Sequence, residues 1–316
     1  MPVVHPPAIF LMGPTASGKT GLAVELVQAL PLEIISVDSA LVYQDMDIGT
    51  AKPEADILQQ APHHLINVID PTQVYSAAQF RSDALRLMAE ITARGNVPLL
   101  VGGTMLYFRA LEQGLSGLPE ADASVRAALD LEAAEIGWPG MHAKLATIDP
   151  DTAARLQPTD SQRIQRALEV YQLTGQTMTA LHQQQAAETL PYRLLKIALQ
   201  PSDRAVLHAR IAERFSIMMQ GGLLAEVQAL LKKYPGLHPD MTSMRCVGYR
   251  QTLAYIAGDI DEAEWQAQGI VATRQLAKRQ LTWLRGMDDT LALDCLGDNL
   301  YAQAYQAIKG FLDTSN

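Results

Sequence analysis

The sequence predicts an α/β protein: a phosphate-loop core with a parallel sheet flanked by helices, carrying an all-helical insertion. Three observations predict it. Short apolar runs alternate with helical periodicity through the first third of the chain. A glycine-rich phosphate motif stands between the first of these runs and the helix that follows. From about Asp122 to Gln185 the period is helical throughout, with no strand pattern.

The elements follow in order. Met1–Ile9 lacks a basic leader region, and its apolar stretch runs into the glycine loop, so it reads as a first strand rather than a signal peptide. Ala8–Met12 is that strand, and a helical pattern follows the loop to Leu30. Glu33–Val37 is a second strand, ending at Asp38. Arg81–Arg94 reads as an amphipathic helix and Val97–Val101 as a buried strand. Gly102-Gly103-Thr104 then opens a helical segment to Leu111. Gly114–Pro119 is a Gly/Pro-rich hinge. Tyr192–Leu199 reads as a strand returning to the sheet, and after Pro201 the pattern is helical to the end. The expected division is 1–116 for the first part of the core, 117–190 for the insertion, and 191–316 for core completion and C-terminal helices.

The bulk composition agrees. The 316 residues suffice for a buried core plus an insertion, and 48% hydrophobic with only 6% aromatic residues suits a helix-rich α/β chain. No apolar run reaches the roughly 18 residues of a membrane span. Cys246 and Cys295 are the only cysteines, which gives no disulfide framework and makes a reducing cytoplasm the expected compartment. The net charge of -9 argues against a nucleic-acid binder. Yet Val271–Met287 carries Arg274, Lys278, Arg279 and Arg285 and no acid, and RNA affinity needs only a local positive surface.

The motif is Gly13-Pro14-Thr15-Ala16-Ser17-Gly18-Lys19-Thr20, which fits G-x-x-x-x-G-K-[ST] in the strand–loop–helix context that the pattern requires. Its glycines let backbone N–H groups turn inward onto phosphate oxygens, and the helix N-terminus adds partial positive charge. Lys19 neutralises terminal phosphate charge, and Thr20 offers a hydroxyl to Mg²⁺. The motif identifies a phosphate chain; its commonest use is ATP or GTP binding. Asp38, at the carboxyl end of the second strand, lies where open α/β sheets bind ligands. It could accept a proton, hold Mg²⁺ through water, or cap the next turn; spacing leaves the three open.

Further motifs carry a family resemblance. Asp38-Ser39-Ala40-Leu41-Val42-Tyr43, Met46-Asp47-Ile48-Gly49-Thr50-Ala51-Lys52-Pro53 and Pro62-His63-His64-Leu65 resemble the signature of tRNA dimethylallyltransferases. So do Tyr75-Ser76-Ala77-Ala78, Gly102–Tyr107, Arg245–Arg250 and Lys278–Arg285. The resemblance runs to about Gly286, and with no cysteine pattern for a zinc finger the chain is similar to the shorter, bacterial-type members.

That resemblance implies transfer of a dimethylallyl group from dimethylallyl diphosphate to the N6 amine of adenosine 37 in tRNA anticodon loops. The phosphate loop would hold the prenyl donor, with Mg²⁺ as cofactor, and the chain is expected to work as a monomer. Asp38 would be the general base, and Thr20 and Arg214 would join it in catalysis, Arg214 at the diphosphate. The implied tRNA contacts are Asp38–Leu41, Thr104, Arg126, the stretch Gln162, Arg163, Ile164, Gln165 and Arg166, and the stretch Arg245, Cys246, Val247, Gly248, Tyr249 and Arg250. The acid-free basic stretch adds Arg274, Lys278, Arg279 and Arg285 to the set on charge and helical spacing.

The chemistry is consistent with those residue types. An adenine amine is a poor nucleophile, and a carboxylate that takes its proton contributes about 10²–10⁴-fold. Cations aimed at the departing diphosphate stabilise the charge that separates at the allylic carbon. From charge alone Arg163 and Arg166, three apart on one helix, suit a solvated face, and His63-His64 lacks a third metal ligand. Three other readings remain open. A nucleotide or small-molecule kinase would need ATP but not the basic C-terminal helices. A nucleotide-gated RNA binder would not need Asp38. A prenyltransferase acting on a free adenine nucleotide could dispense with the insertion.

Overall fold

The computed structural model describes residues 5–114, 118–119, 121–184 and 190–314. The start of the first strand segment, the middle of the expected hinge and the end of the expected insertion (1–4, 115–117 and 185–189) lie outside the described residues. The chain forms two compact units, Met1–Glu112 with Leu190–Asn316, and Gln113–Thr189.

In the larger unit, β1 (Pro7–Met12) leads through the phosphate loop to α1 (Lys19–Ala29) and β2 (Leu32–Val37). Then come α2 (Ala55–Gln60), the short β3 (His63–His64), α3 (Ala77–Ala93), β4 (Val97–Gly102) and α4 (Met105–Gln113). The smaller unit holds α5 (Ala123–Ile148), α6 (Pro150–Arg155), α7 (Ser161–Thr174) and α8 (Met178–Gln184). The chain re-enters the larger unit at β5 (Arg193–Gln200), followed by α9 (Arg204–Gln220), α10 (Leu223–Lys233), α11 (Tyr249–Ala257), α12 (Glu262–Arg285), β6 (Thr290–Asp294) and α13 (Leu300–Asp313).

The strands form one sheet in the order β3-β2-β4-β1-β5-β6, every pairing parallel. The central strand β1 pairs with β4 through Ile9↔Leu99 and with β5 through Ile9↔Leu195. Its side chains alternate between two cores. Ala8, Phe10 and Met12 join the side chains of α3, α4, α9, α10 and α12. Ile9 and Leu11 meet Leu22, Ala23 and Leu26 of α1 and Ile308 of α13. Helices thus cover both faces, which is why β1 and β4 read as unbroken apolar runs. The carboxyl ends of β1, β2 and β4 lie side by side, and the loops that leave them build the site.

The sequence reading missed three features. The segment after Pro201 is not purely helical: β6 pairs with β5 from Lys196↔Thr290 to Gln200↔Asp294. Its Thr-Leu-Ala-Leu-Asp sequence is rich in helix formers, and as an edge strand it exposes Leu291 and Ala292, so no strand period shows. Helix α3 begins at Ala77, four residues before the expected Arg81, because Ser76 and Gln79 form a reciprocal capping box. The two-residue β3 is too short for any period. Its histidines are occupied separately: His63 Nδ1 lies 2.6 Å from the Ala61 carbonyl oxygen and His64 Nε2 3.3 Å from Glu33. Among the described residues no helix is long and apolar enough to cross a membrane.

The smaller unit has its own core, with Leu129, Met141, Leu145, Ile164 and Leu168 fully or almost fully buried. Asp122 caps α5, accepting the Ser124 and Val125 N–H groups. Helix α5 breaks at Gly137, whose φ of 72° only glycine adopts readily.

Candidate functional site

A cleft of about 830 Å³ opens over the carboxyl ends of β1, β2 and β4. The phosphate loop forms one wall. Gly18, at φ 82°, turns the chain into α1, whose first turn carries no acidic residue. Thr15–Thr20 line the cleft, while Gly13 and Pro14 are buried beneath it. The Lys19 ammonium bends back across the loop, donating to the Pro14 carbonyl at 2.6 Å and to Ser17 Oγ at 3.4 Å. Burial lowers its pKa to about 8; the Asp38 charge opposes that shift and the Arg214 charge adds to it.

Asp38 stands on the floor, directly after β2. Its Oδ1 accepts the N–H groups of Ala40 at 2.8 Å and Leu41 at 3.4 Å, so this oxygen does cap the turn. Its Oδ2 accepts no hydrogen bond among the described residues. Burial raises its pKa, against the two backbone N–H groups and the charges of Lys19 and Arg214. Capping and chemistry therefore divide between the two oxygens of one carboxylate. Thr104 supports the turn, its hydroxyl accepting the Ser39 N–H at 3.0 Å.

Arg214 reaches the cleft from α9, and its pKa is lowered by burial with Asp38 as the opposing charge. Arg245, Cys246 and Val247 line it from the turn before α11, and burial followed by the Asp38 charge pushes the Cys246 thiol up to about 12. Of the basic residues on α12, Arg279 lines this cleft beside Trp283. Arg274, Lys278 and Arg285 instead line a second notch of about 420 Å³ with Arg204 and His208 of α9.

Two residues expected at the RNA are placed elsewhere. Tyr249 is 0% exposed, and its hydroxyl donates to Glu226 at 2.5 Å. Ile164 is 0% exposed, in the core of the smaller unit. Neither side chain has surface to offer a ligand, and Gly248 is buried as the cap of α11. In the smaller unit Arg126 and Arg166 share Glu169, while Arg163 projects outward and pairs with Asp160 at 2.7 Å. Gln162 is exposed, and Gln165 donates to Asp130 at 2.7 Å.

Three contributors escaped the sequence reading. Ser36 is 2% exposed, and its hydroxyl has no hydrogen-bond partner among the described residues. It lines the same cleft as Thr20 and Asp38. A lone polar residue inside Ile34-Ile35-Ser36-Val37 was the available signal. Gln280 links α12 to the phosphate loop, accepting the Thr15 N–H at 2.8 Å and donating to the Gly103 carbonyl at 2.9 Å. Glu226 accepts the N–H groups of Asp47, Ile48 and Gly49, fixing the turn that leads to the cleft wall Gly49–Pro53.

The family model described as IPP transferase matches residues 41–287. A tRNA dimethylallyltransferase from Methylobacillus flagellatus is 83% identical over 99% of both chains. One from Janthinobacterium sp. is 59% identical over 97% of this chain and 98% of its own. The full-length tRNA isopentenylpyrophosphate transferase of Bacillus halodurans superposes with a TM-score of 0.72 at 35% identity, covering 98% of this chain and 97% of its own. A eukaryotic dimethylallyltransferase, captured acting on tRNA, gives 0.79 at 26% identity over 98% and 80%. The chain belongs to the IPP transferase family.

Proposed function

We propose that this protein transfers a dimethylallyl group from dimethylallyl diphosphate to the N6 amine of adenosine 37 in tRNA, releasing diphosphate. It works as a cytoplasmic monomer. The observation that carries the reading is Asp38: one oxygen tied to its own turn, the other open, in the cleft that Lys19 and Arg214 enter. A kinase can use such a carboxylate too, so the requirement for ATP is what separates the two readings.

The arrangement supports the following steps. The phosphate loop N–H groups and Lys19 bind the diphosphate oxygens. The adenine, extruded from the anticodon loop at a cost of a few kcal/mol, presents its amine to Asp38. The N6 lone pair forms a bond to the first carbon of the prenyl group as that carbon's bond to oxygen breaks. The N6 proton passes to Oδ2 of Asp38, and the diphosphate leaves with the electron pair. Lys19 and Arg214 stabilise the charge on the leaving oxygens.

Mg²⁺ suits the residues present. The Thr20 hydroxyl and the Ser36 hydroxyl are hard oxygen donors lining one cleft with Asp38, which would meet the ion through water. Bound there, the ion would neutralise diphosphate charge. RNA would be gripped by the basic side chains of α12, by Arg245 and Arg250, and by the arginines of the smaller unit.

The test is transfer of label from radiolabelled dimethylallyl diphosphate to an unmodified tRNA transcript, with Mg²⁺ and no nucleotide. Label should enter the wild-type transcript and not one with guanosine at position 37. A strict ATP requirement would overturn the reading in favour of a kinase.

A further inference from the structure

Helix α12 has two working faces. Thr273, Leu276, Gln280 and Trp283 line the phosphate cleft, whereas Arg274, Lys278 and Arg285 line the notch against α9. Spacings of three, four and seven keep each set on its own stripe. On the first stripe Gln280 is buried, at 8% exposure, and both ends of its amide are engaged. Oε1 accepts the Thr15 N–H at 2.8 Å, and Nε2 donates to the Gly103 carbonyl at 2.9 Å. A flipped amide would set oxygen against oxygen and N–H against N–H, so one orientation is fixed.

The two partners belong to different halves of the site. Thr15 is in the phosphate loop after β1. Gly103 follows β4 and precedes Thr104, whose hydroxyl accepts the Ser39 N–H next to Asp38. One side chain thus joins the loop that carries Lys19 to the turn that carries Asp38. The approach is close enough that a β-carbon on Gly103 would collide with Nε2 of Gln280.

We propose that Gln280 is a positioning residue for the transfer, setting the distance between the diphosphate-binding loop and the Asp38 turn. The inference rests on the functional reading above. Bond formation between the amine and the allylic carbon needs reacting atoms about 3–3.5 Å apart, and a displacement of about 1 Å costs roughly 10²-fold. Gln280 touches neither reacting group, since both its polar ends are held by backbone. Its effect falls on kcat rather than on binding.

Two variants test this against wild type in the transfer assay, with folding followed by circular dichroism. Gln280→Met keeps the volume and removes both hydrogen bonds. It should lower kcat about 10- to 100-fold at saturating substrates, with the Kd for tRNA within about twofold of wild type. Gln280→Glu provides a signature that loss of packing does not. Its protonated carboxyl donates to Gly103 and accepts from Thr15, as the amide does; its ionised form has no donor and sets charge against a carbonyl. The kcat ratio of this variant to wild type should therefore rise at least tenfold as pH falls through the new carboxyl's pKa. Lys19, Asp38, Arg214, Arg245 and Arg279 face the same cleft in both proteins and cancel in the ratio. A kcat for folded Gln280→Met within twofold of wild type, or a flat Gln280→Glu ratio across pH, overturns the proposal and leaves the functional reading standing. If Gln280→Met fails to fold, the Gln280→Glu profile decides alone. A wild-type chain that transfers nothing overturns both.

Discussion

Glu169 and Arg126 meet through two hydrogen bonds, Nε to Oε1 at 2.9 Å and Nη2 to Oε2 at 3.2 Å. The carboxylate is 0% exposed and the arginine 43%. Arg166 adds a bond at 2.6 Å, and the Asp122 N–H another at 2.9 Å. One buried anion thus holds from behind two arginines that we assign to the RNA, and leaves the group with net positive charge.

Removing that anion should loosen the smaller unit. Burial pushes the Glu169 pKa up, but the hydrogen bonds from Arg126, Arg166 and Asp122 outweigh it and hold the pKa below the ordinary range. The sign follows: the stabilisation is complete above the unfolded value of about 4.3 and is lost as pH falls below it. Glu169→Gln should cost roughly 2–3 kcal/mol at pH 7, below the usual loss for a buried pair because Arg126 is partly solvated. Urea midpoints at pH 7 and pH 4 check this, and the gap between variant and wild type should narrow at the lower pH. Equal midpoints at pH 7 would show that the cluster is energetically idle.

Asp38→Asn should keep the cap through its side-chain oxygen and lose the proton acceptor. Single-turnover transfer is expected to fall about 10²-fold or more with tRNA affinity little changed. Because burial raises the Asp38 pKa, the acid limb of wild-type kcat/KM should lie above the ordinary aspartate range. Activity rises with pH through that limb, since the ionised form is the base. Near-normal transfer by the variant would return Asp38 to capping alone.

The phosphate loop, the second strand and Asp38 were legible because each depends on a short, local pattern in a strand–loop–helix context. Ser36 and Gln280 were not. Ser36 hides inside an apolar strand, and Gln280 becomes meaningful only when α12 lies against a loop 265 residues earlier. Tyr249 shows the opposite error: it stands in a segment expected at the RNA, yet its side chain is spent on Glu226. The stripe of Arg274, Lys278 and Arg285 was readable from helical spacing, but its separation from Arg279 and Trp283 by two clefts was not.

Arg274, Lys278 and Arg285 form no ion pair among the described residues, and their notch is lined by no acid. As RNA phosphate contacts, each should contribute about 0.7–0.9 to the slope of log affinity against log salt. Replacing all three by alanine should reduce that slope by about 2–3. Binding of inorganic diphosphate should stay at the wild-type level, because the phosphate loop is a separate cleft. Filter binding of tRNA across a salt series reads both the affinity and the slope. An unchanged slope would place the RNA on another face.

Lys19 provides a test of what the phosphate loop holds before any chemistry occurs. Its ammonium lies folded onto Pro14 and Ser17, with burial holding its pKa at about 8. A bound diphosphate brings negative oxygens to that ammonium and returns the pKa upward. Near pH 8 about half of the Lys19 side chains in the free protein are neutral, so binding should take up about half a proton there. At pH 6.5 Lys19 is already charged and takes up none. Lys19→Arg keeps the charge and abolishes the titration, because guanidinium stays protonated throughout. Calorimetric titration of inorganic diphosphate in two buffers of different ionisation enthalpy measures the proton count directly. The difference between wild type and Lys19→Arg should be about half a proton at pH 8 and vanish at pH 6.5. Above pH 8 wild-type affinity should also fall relative to the arginine variant, as protonating Lys19 becomes more costly. Equal proton counts at pH 8, together with wild-type diphosphate affinity in Lys19→Ala, would remove Lys19 from the diphosphate, and with it the phosphate loop's role as the donor site.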